Sequence, residues 1–417
     1  MSTLVLKPTD YVEAKTQTDW SLSVVIPAYN EENAISAIIE RTLKAMQKLP
    51  AAGVARTEVI VVDDGSRDHT ADVVRRYPDV KLMRHPKNRG YGAALKTGFS
   101  GASSNLLAFL DADGTYPPEY LPNLCRAAMD GSDLVIGSRM AGEQSEMPLM
   151  RRIGNVFFAA ALSLMGRHHV SDSASGMRVF RREVLDRMYP LPDGLNFTPV
   201  MSTRAIHEGL KIKEVAIPYS ERVGRSKLSV VRDGMRFLSS IIWTVLSYNP
   251  VRILGLVGSA GVGIAILVAL VLLGLRLSGV SQLAAWGVFA VYSGLVLGVT
   301  GVSLFSLGAM FNYLVSLLQR RPIRQGMFGK PIFNPPLDRQ FWWIGGLAIV
   351  IGTIVAVISL VMSFSGWDIS RLWLWLLGSA MLTLVGVQLL ISWVVMRVLE
   401  EITQRDAKTD LDMRGGV

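Results

Sequence analysis

The 417-residue sequence has one cysteine, Cys125. A disulfide framework and a thiolate zinc cluster are both excluded, and a domain in reducing cytosol is expected. No G-x-x-x-x-G-K-[ST] run occurs, so the chain is not a P-loop ATPase. The opening MSTLVLKPTDYVEAKTQTDW lacks a charged start followed by an apolar stretch. Residues 1–20 read as a loosely ordered leader and not as a secretory signal. Basic and aromatic residues do not interleave. The net charge of +9 therefore points to a membrane-facing surface, and no nucleic-acid partner is expected.

Charge is also missing from four long stretches beyond residue 250. Segments 251–275, 284–316, 341–364 and 371–397 are long enough to cross a hydrocarbon layer of about 30 Å, which takes about 20 apolar residues as helix. Buried helices of a soluble core rarely stay uncharged for so long. The transmembrane domain is expected over 250–398. The connector after the second span carries Arg320, Arg321, Arg324, Lys330 and Arg339, against Arg276 and Arg371 at the ends of the other two. The basic connector belongs in the cytoplasm. An even number of spans then puts the N-terminal domain, the tail 399–417 and both termini on that side. The spans hold almost no ionisable residues and do not resemble an ion or proton path. The spacing Gly294–Gly298 allows close helix packing, in this chain or between copies, and a homo-oligomer is expected.

Just before the first span, Val231, Met235, Leu238, Ile242 and Val245 recur at spacings of four and three. Arg232, Asp233, Arg236, Ser239 and Ser240 fall largely on the other side. Residues 230–249 read as an amphipathic helix lying at the membrane interface among lipid head groups, with packing on the soluble core as the alternative. The stretch 151–166 has the same character, apolar but too short to span.

Within an expected cytoplasmic domain of residues 21–229, residues 21 to about 137 alternate strand-like and helix-like segments. LSVVIPAY, EVIVVDDGS, VKLMRH, LLAFLDADG and DLVIGS are short apolar runs that end in polar residues or glycine, and EENAISAIIERTLKAMQKL is helix-like. This predicts an α/β domain with a mostly parallel, Rossmann-like sheet and helices on both faces. Ligands of such sheets bind beyond the carboxyl ends of the strands. Pro27, Ala28, Tyr29, Asn30 and Glu31 sit at one such end, Asp63 and Asp64 at a second, and Asp111 and Asp113 at another. The GYGAAL run at 90–95 has Leu95 where a dinucleotide fingerprint needs a small residue, so it reads as a tight turn into a helix.

A lone Asp-x-Asp is also an ordinary capped turn. Together with the other polar ends it suits a nucleotide whose diphosphate arrives with Mg²⁺ or Mn²⁺, hard cations that take carboxylate oxygens. In an extended strand end, residues i and i+2 point the same way, so Asp111 and Asp113 can share one metal. Asp63 or Asp64 can accept hydrogen bonds from a base N–H or ribose hydroxyls, and Tyr29 can pack against the base. The adjacent His168 and His169 do not form a metal site, and Arg181 and Arg182 read as a solvated helix face.

VVIPAYNEE, VIVVDDGSRDHT, LDADGTYPPEYLP and VSDSASGMRVFRREVL, in that order, resemble the inverting nucleotide-sugar glycosyltransferases with a GT-A fold. More narrowly, the chain is similar to polyprenyl-phosphate hexose transferases such as dolichol-phosphate mannose synthase and bacterial undecaprenyl-phosphate glucosyltransferases. The resemblance covers roughly 20–230. It implies that Pro27 to Glu31, Asp63 and Asp64 hold the nucleoside and that Asp111 and Asp113 bind the metal and diphosphate. The family often has another ligand two residues past the second Asp; here that residue is Thr115, a weaker one. The resemblance also implies that Arg139, Arg151 and Asn155 grip the acceptor phosphate. Arg222, Arg225 and Lys227 form a basic loop near the sugar and phosphates, and Asp172 stands near the sugar.

The implied partners are a nucleotide sugar, a polyprenyl phosphate and membrane lipids. The implied reaction is in-line attack of a lipid phosphate oxygen on the anomeric carbon, with inversion. Asp113, Asp172 and Arg139 are the expected catalytic residues. The Q-x-x-R-W signature of processive polysaccharide synthases is absent. A transferase to another membrane acceptor, and a non-catalytic nucleotide-sensing scaffold or lipid transporter, are the other readings.

Overall fold

The run WSLSVVIPA forms β1 (Trp20–Ala28), buried along its whole length after the first residue. That pattern belongs to a strand covered on both faces. The structure is a computed structural model. It describes residues 19–140, 156, 170–218, 230–280, 284–319, 327, 333–367 and 369–413. The chain divides into two units, Met1–Ile241 and Ile242–Val417.

In the first unit, β2 (Val54–Asp63), β3 (Val80–Arg84), β4 (Leu106–Phe109), β5 (Leu134–Ser138), β6 (Arg178–Arg181) and β7 (Ile212–Ala216) join β1 in one sheet of order β3-β2-β1-β4-β6-β5-β7. β2 and β4 flank β1 in parallel, β3 is parallel to β2, and β7 is parallel to β5. β6 lies antiparallel between β4 and β5. Six strands therefore run one way and β6 runs the other. The mostly parallel α/β sheet expected from the alternating segments is what forms; β6 and β7 are additions to it.

Helix α1 (Ile35–Met46) buries Ile35, Ile38, Ile39, Thr42, Ala45 and Met46, a three-four spacing that seats it on the sheet. After α2 (Thr70–Val74), α3 (Tyr91–Gly101) starts directly past Gly90, whose φ of 106° marks the tight turn expected there. α4 (Leu121–Met129) buries Leu121, Leu124, Cys125, Ala127 and Ala128. α5 (Phe197–His207) is almost wholly buried. Phe99 of α3 meets Phe180 of β6 edge-on at 5.3 Å, and Phe109 of β4 meets Phe197 at 6.1 Å. These rings lock α3 and α5 to the middle of the sheet. α6 (Val230–Leu246) buries Ile241 and Val245 and exposes Met235 and Trp243. The expected 151–166 helix, Val156 aside, His168, His169 and residues 1–18 of the expected leader lie outside the described residues.

The second unit holds α7 (Pro250–Leu277), α8 (Ala285–Gln319), α9 (Leu337–Phe364) and α10 (Ile369–Met413). Four stretches are long and apolar enough to cross a membrane: Pro250–Leu275, Ala285–Gln319, Leu337–Phe364 and Leu372–Ile402. Two pairs of glycines close the helix contacts. A Cβ on Gly258 would lie 2.4 Å from Gly301 O, and one on Gly301 2.6 Å from Gly258 O. Gly345 and Gly386 repeat this between α9 and α10, at 2.7 and 2.6 Å. Backbones so close gain dispersion contact that larger side chains would prevent. Gly294 faces Val268, and Gly298 faces Ala265 and Met381, so this small-residue spacing is used within the chain.

Polar groups gather at one end of this bundle. The Tyr313 hydroxyl donates to Asp338, Arg339 and Arg397 both donate to Glu400, and Asn312 donates to Asn249 Oδ1. Of these residues only Arg339 carried a signal in the sequence, as part of the basic connector. Arg320, Arg321, Arg324 and Lys330 of the basic connector lie outside the described residues.

Candidate active site

The direction of the strands builds the site. The carboxyl ends of β1, β2, β4 and β5 and the amino end of β6 share one rim. The order reverses at β1, which has β2 on one side and β4 on the other, and a crevice opens at such a point.

On the β1–β2 side, two loops are laced together. Asn30 N donates to Ser66 Oγ at 2.9 Å, Glu31 N to Thr70 Oγ1 at 2.9 Å, and Glu32 N to Asp68 Oδ2 at 3.2 Å. Arg67 N and His69 N donate back to Asn30 Oδ1 and Glu32 Oε2. This lacing fixes the half-buried Tyr29 and Glu31 over the strand ends. Pro27 and Ala28 are buried strand residues beneath them, and Ala28 O accepts from Asp64 N at 2.8 Å.

The two aspartates differ from the expectation of open hydrogen-bond acceptors. Asp64 is buried and accepts from His85 Nδ1 at 2.7 Å and from Arg89 N and Gly90 N, both at 2.8 Å. Three donors on one carboxylate make it the support of the 85–90 loop. Asp63 has no exposed surface. Its Oδ1 accepts from Ser66 N, and Arg84 Nε stands 2.9 Å from Oδ2 without hydrogen-bond alignment. Arg84 is itself half exposed.

Asp111 and Asp113 follow β4 in a turn, not in an extended strand end. The two-residue alternation of a strand therefore does not set their direction; individual hydrogen bonds do. Tyr91 Oη donates to Asp111 Oδ1 at 2.8 Å. Thr115 donates to Asp113 Oδ1 through its N at 3.1 Å and its Oγ1 at 2.6 Å. Thr115 thus holds the second aspartate. Both aspartates are half-buried. Among the described residues no group of three or more His, Cys, Asp or Glu is placed to hold a metal ion.

Across the rim, Arg139 follows β5. Its Nε reaches Asp172 Oδ2 and its Nη2 reaches Asp172 Oδ1, both at 2.7 Å, and its N donates to Oδ2 at 3.0 Å. Arg139 also lies 5.6 Å above the Tyr116 ring. Asp172 has no exposed surface, and both its oxygens accept from Arg139. Glu214 of β7 holds the same loop from below, accepting from Ser171 N and Asp172 N at 2.9 and 3.0 Å.

Arg178, the first residue of β6, is wholly buried. Its Nε and Nη2 donate to Ser175 O and Ser173 O at 3.1 and 2.6 Å, while Nη1 has no acceptor among the described residues. Burial pushes its guanidinium down to about 10, against the pull of Asp172, Tyr91, Tyr116 and Glu214. Arg181 and Arg182 are not a solvated helix face. Arg181 ends β6 and donates to Ala128 O, and Arg182 follows it and donates to Ser104 O.

Arg151, Asn155, Arg222, Arg225 and Lys227, expected at the acceptor phosphate, lie outside the described residues. Sequence reasoning missed Tyr91, Tyr116, Gly176, Arg178 and Glu214. Tyr116 stood inside the LDADGTYPP motif and Gly176 inside SASG, so position next to a motif was the available signal; Glu214 carried none.

Residues 23–189 match the model of glycosyl transferase family 2. Residues 250–410 match a second family, a domain of unknown function (DUF8752). The chain is 31% identical over 302 residues to an undecaprenyl-phosphate 4-deoxy-4-formamido-L-arabinose transferase of Aeromonas hydrophila, a match covering 70% of this chain and 88% of that protein. The transferase of the same description from Pectobacterium atrosepticum is 31% identical over 300 residues, with the same coverage. A solved glucosyl-3-phosphoglycerate synthase of Mycobacterium tuberculosis, in complex with Mn²⁺, UDP and phosphoglyceric acid, is 21% identical with a TM-score of 0.43. That match covers 54% of this chain and 78% of that one. With its four membrane-crossing helices the chain is an integral membrane protein. It is a glycosyltransferase, and it belongs to the GT-A polyprenyl-phosphate glycosyltransferases of glycosyl transferase family 2.

Proposed function

We propose that this enzyme moves a sugar from a nucleotide sugar to a polyprenyl phosphate at the cytoplasmic face of the membrane, with inversion at the anomeric carbon. The observation that carries this reading is a shared contact on the rim. Tyr116 lies under Arg139 and its hydroxyl accepts from Gly176 N at 2.7 Å, while Gly176 abuts Asp111. A carboxylate turn and an arginine thus flank one loop, the arrangement needed to bring a cation-bearing diphosphate up to an anionic acceptor.

A lone pair of the acceptor phosphate oxygen forms the new bond to the anomeric carbon. The bond to the donor diphosphate breaks, and the nucleoside diphosphate leaves with its electrons. The acceptor phosphate is ionised at neutral pH and needs no base, which agrees with an Asp172 committed to Arg139. Arg139 offers the planar fork that suits phosphate, together with Arg151, Asn155, Arg222, Arg225 and Lys227. Tyr29, Glu31 and Asp63 flank the nucleoside, over Pro27 and Ala28.

The oxygens of Asp111 and Asp113 are hard ligands of the kind Mg²⁺ or Mn²⁺ takes, and these two carboxylates would hold the cation. When bound, the cation offsets charge growing on the leaving diphosphate. The relatives are undecaprenyl-phosphate 4-deoxy-4-formamido-L-arabinose transferases, which supports the lipid acceptor and leaves a hexose as one of several candidate sugars. The basic connector supports the cytoplasmic orientation, and the exposed Met235 and Trp243 of α6 support its contact with lipid head groups. A screen of UDP- and GDP-linked sugars with one fixed polyprenyl phosphate tests the reading. Formation of a sugar-phosphate lipid from at least one donor is expected; failure with every donor argues against it.

A further inference from the structure

Asp111 is held from two sides. At Oδ1 it accepts from Tyr91 Oη, 2.8 Å away, at the first residue of α3. At Oδ2 stands Gly176, where a Cβ would come within 2.3 Å of the oxygen. Gly176 is in turn pinned by its own N–H, which donates to Tyr116 Oη at 2.7 Å. Tyr116 is 2% exposed, and Tyr91 packs edge-on against Phe197 at 6.4 Å. The start of α3 cannot drift either. Gly92 N and Ala93 N donate to Asp193 O at 2.7 and 3.1 Å, and Lys96 pairs with Asp193 Oδ1 at 2.6 Å.

We propose that Tyr91 and Tyr116 are positioning residues that clamp the Asp111 carboxylate, Tyr91 by a direct hydrogen bond and Tyr116 by holding the Gly176 backbone against it. This rests on the reading of Asp111 as the carboxylate that meets the donor diphosphate and its cation. A carboxylate free to rotate would lose that freedom on binding; one fixed beforehand does not. The bond from a phenol to an ionised carboxylate is of the stronger, charge-assisted kind.

Tyr91→Phe and Tyr116→Phe remove one oxygen each and keep the rings, including the one beneath Arg139. The test is calorimetric titration of UDP and GDP, with Mn²⁺, into the full-length protein in lipid nanodiscs, alongside acceptor KM. Tyr91→Phe is expected to weaken Mn²⁺-dependent nucleotide binding about tenfold, as for loss of a hydrogen bond to a charged group. Tyr116→Phe is expected to weaken it in the same direction by less. Acceptor KM stays within about twofold for both. Unchanged nucleotide binding in Tyr91→Phe, or equal losses on the donor and acceptor sides, overturns the clamp. If wild-type protein binds neither nucleotide in a Mn²⁺-dependent way, the donor reading of Asp111 fails and the clamp falls with it.

Discussion

Arg139 and Asp172 meet through two parallel hydrogen bonds of 2.7 Å, Nε to Oδ2 and Nη2 to Oδ1, although 33 residues separate them. The pair joins the end of β5 to the loop that leads into β6. Because Asp172 is buried, its work is to aim the guanidinium. Asp172→Asn keeps the shape but turns an amide N–H₂ toward an arginine. Acceptor kcat/KM should fall about 10- to 100-fold. The pH profile of kcat should keep its shape, because no general base has been removed. An acceptor titration and a pH–rate series measure both; loss of one limb of the profile would show Asp172 to be a base.

Arg139→Ala removes the fork itself. It should raise acceptor KM or lower kcat much more than it changes donor binding. An unchanged response to acceptor concentration would remove Arg139 from the site.

Gly176→Ala places a methyl 2.3 Å from Asp111 Oδ2. Either the carboxylate or the loop has to move, a strain of about 1–3 kcal/mol. Metal-dependent turnover should drop at least tenfold with a modest fall in melting temperature. Full activity would mean that the Asp111 orientation seen here is not the working one.

Asp68 ties the two donor-side loops, accepting from Thr70 N at 3.1 Å and Glu32 N at 3.2 Å. Burial raises its carboxyl, but the hydrogen bonds from Thr70 and Glu32 outweigh burial and hold it below its ordinary 3.8. A value lower in the folded state means the group binds protons more readily when unfolded. Its stabilisation is therefore complete above about pH 4 and is lost as pH falls through the folded value. The difference in melting temperature between wild type and Asp68→Asn should shrink on acidification from neutral pH through that range. A constant difference would contradict the assignment.

In the membrane unit, Gly345 and Gly346 are neighbours with different surroundings. A Cβ on Gly345 would lie 2.7 Å from Gly386 O, whereas one on Gly346 meets nothing within 4 Å. Gly345→Leu should force α9 from α10 and lower thermal stability in detergent by several degrees, while Gly346→Leu should leave it within error. Equal effects would show that this contact is not close in the folded protein.

The parts legible in the sequence were those written in local pattern. Apolar runs gave five of the six strands that run one way and the four membrane-crossing helices, and motif order gave the rim. β6 escaped because RVFR runs into an arginine pair, Arg181 and Arg182, that reads as surface. Their acceptors, Ala128 O and Ser104 O, lie 53 and 78 residues away, and Arg178 is buried only because a loop folds over it and offers carbonyls. The same distance hid the contact of Tyr91 with Asp111. Spacing placed Asp111 and Asp113 together, but their direction comes from Tyr91 and Thr115, bonds that exist only once α3 and the turn are in place.

The central claim is tested most directly by labelled-sugar transfer to polyprenyl phosphate, comparing the wild-type chain with Asp113→Ala at matched folding, with added Mg²⁺ or Mn²⁺ and with EDTA. The expected result is a sugar-phosphate lipid made by the wild type with the cation present, abolished by EDTA and by the substitution. Product formed at the wild-type rate by Asp113→Ala, or unaffected by EDTA, would contradict it.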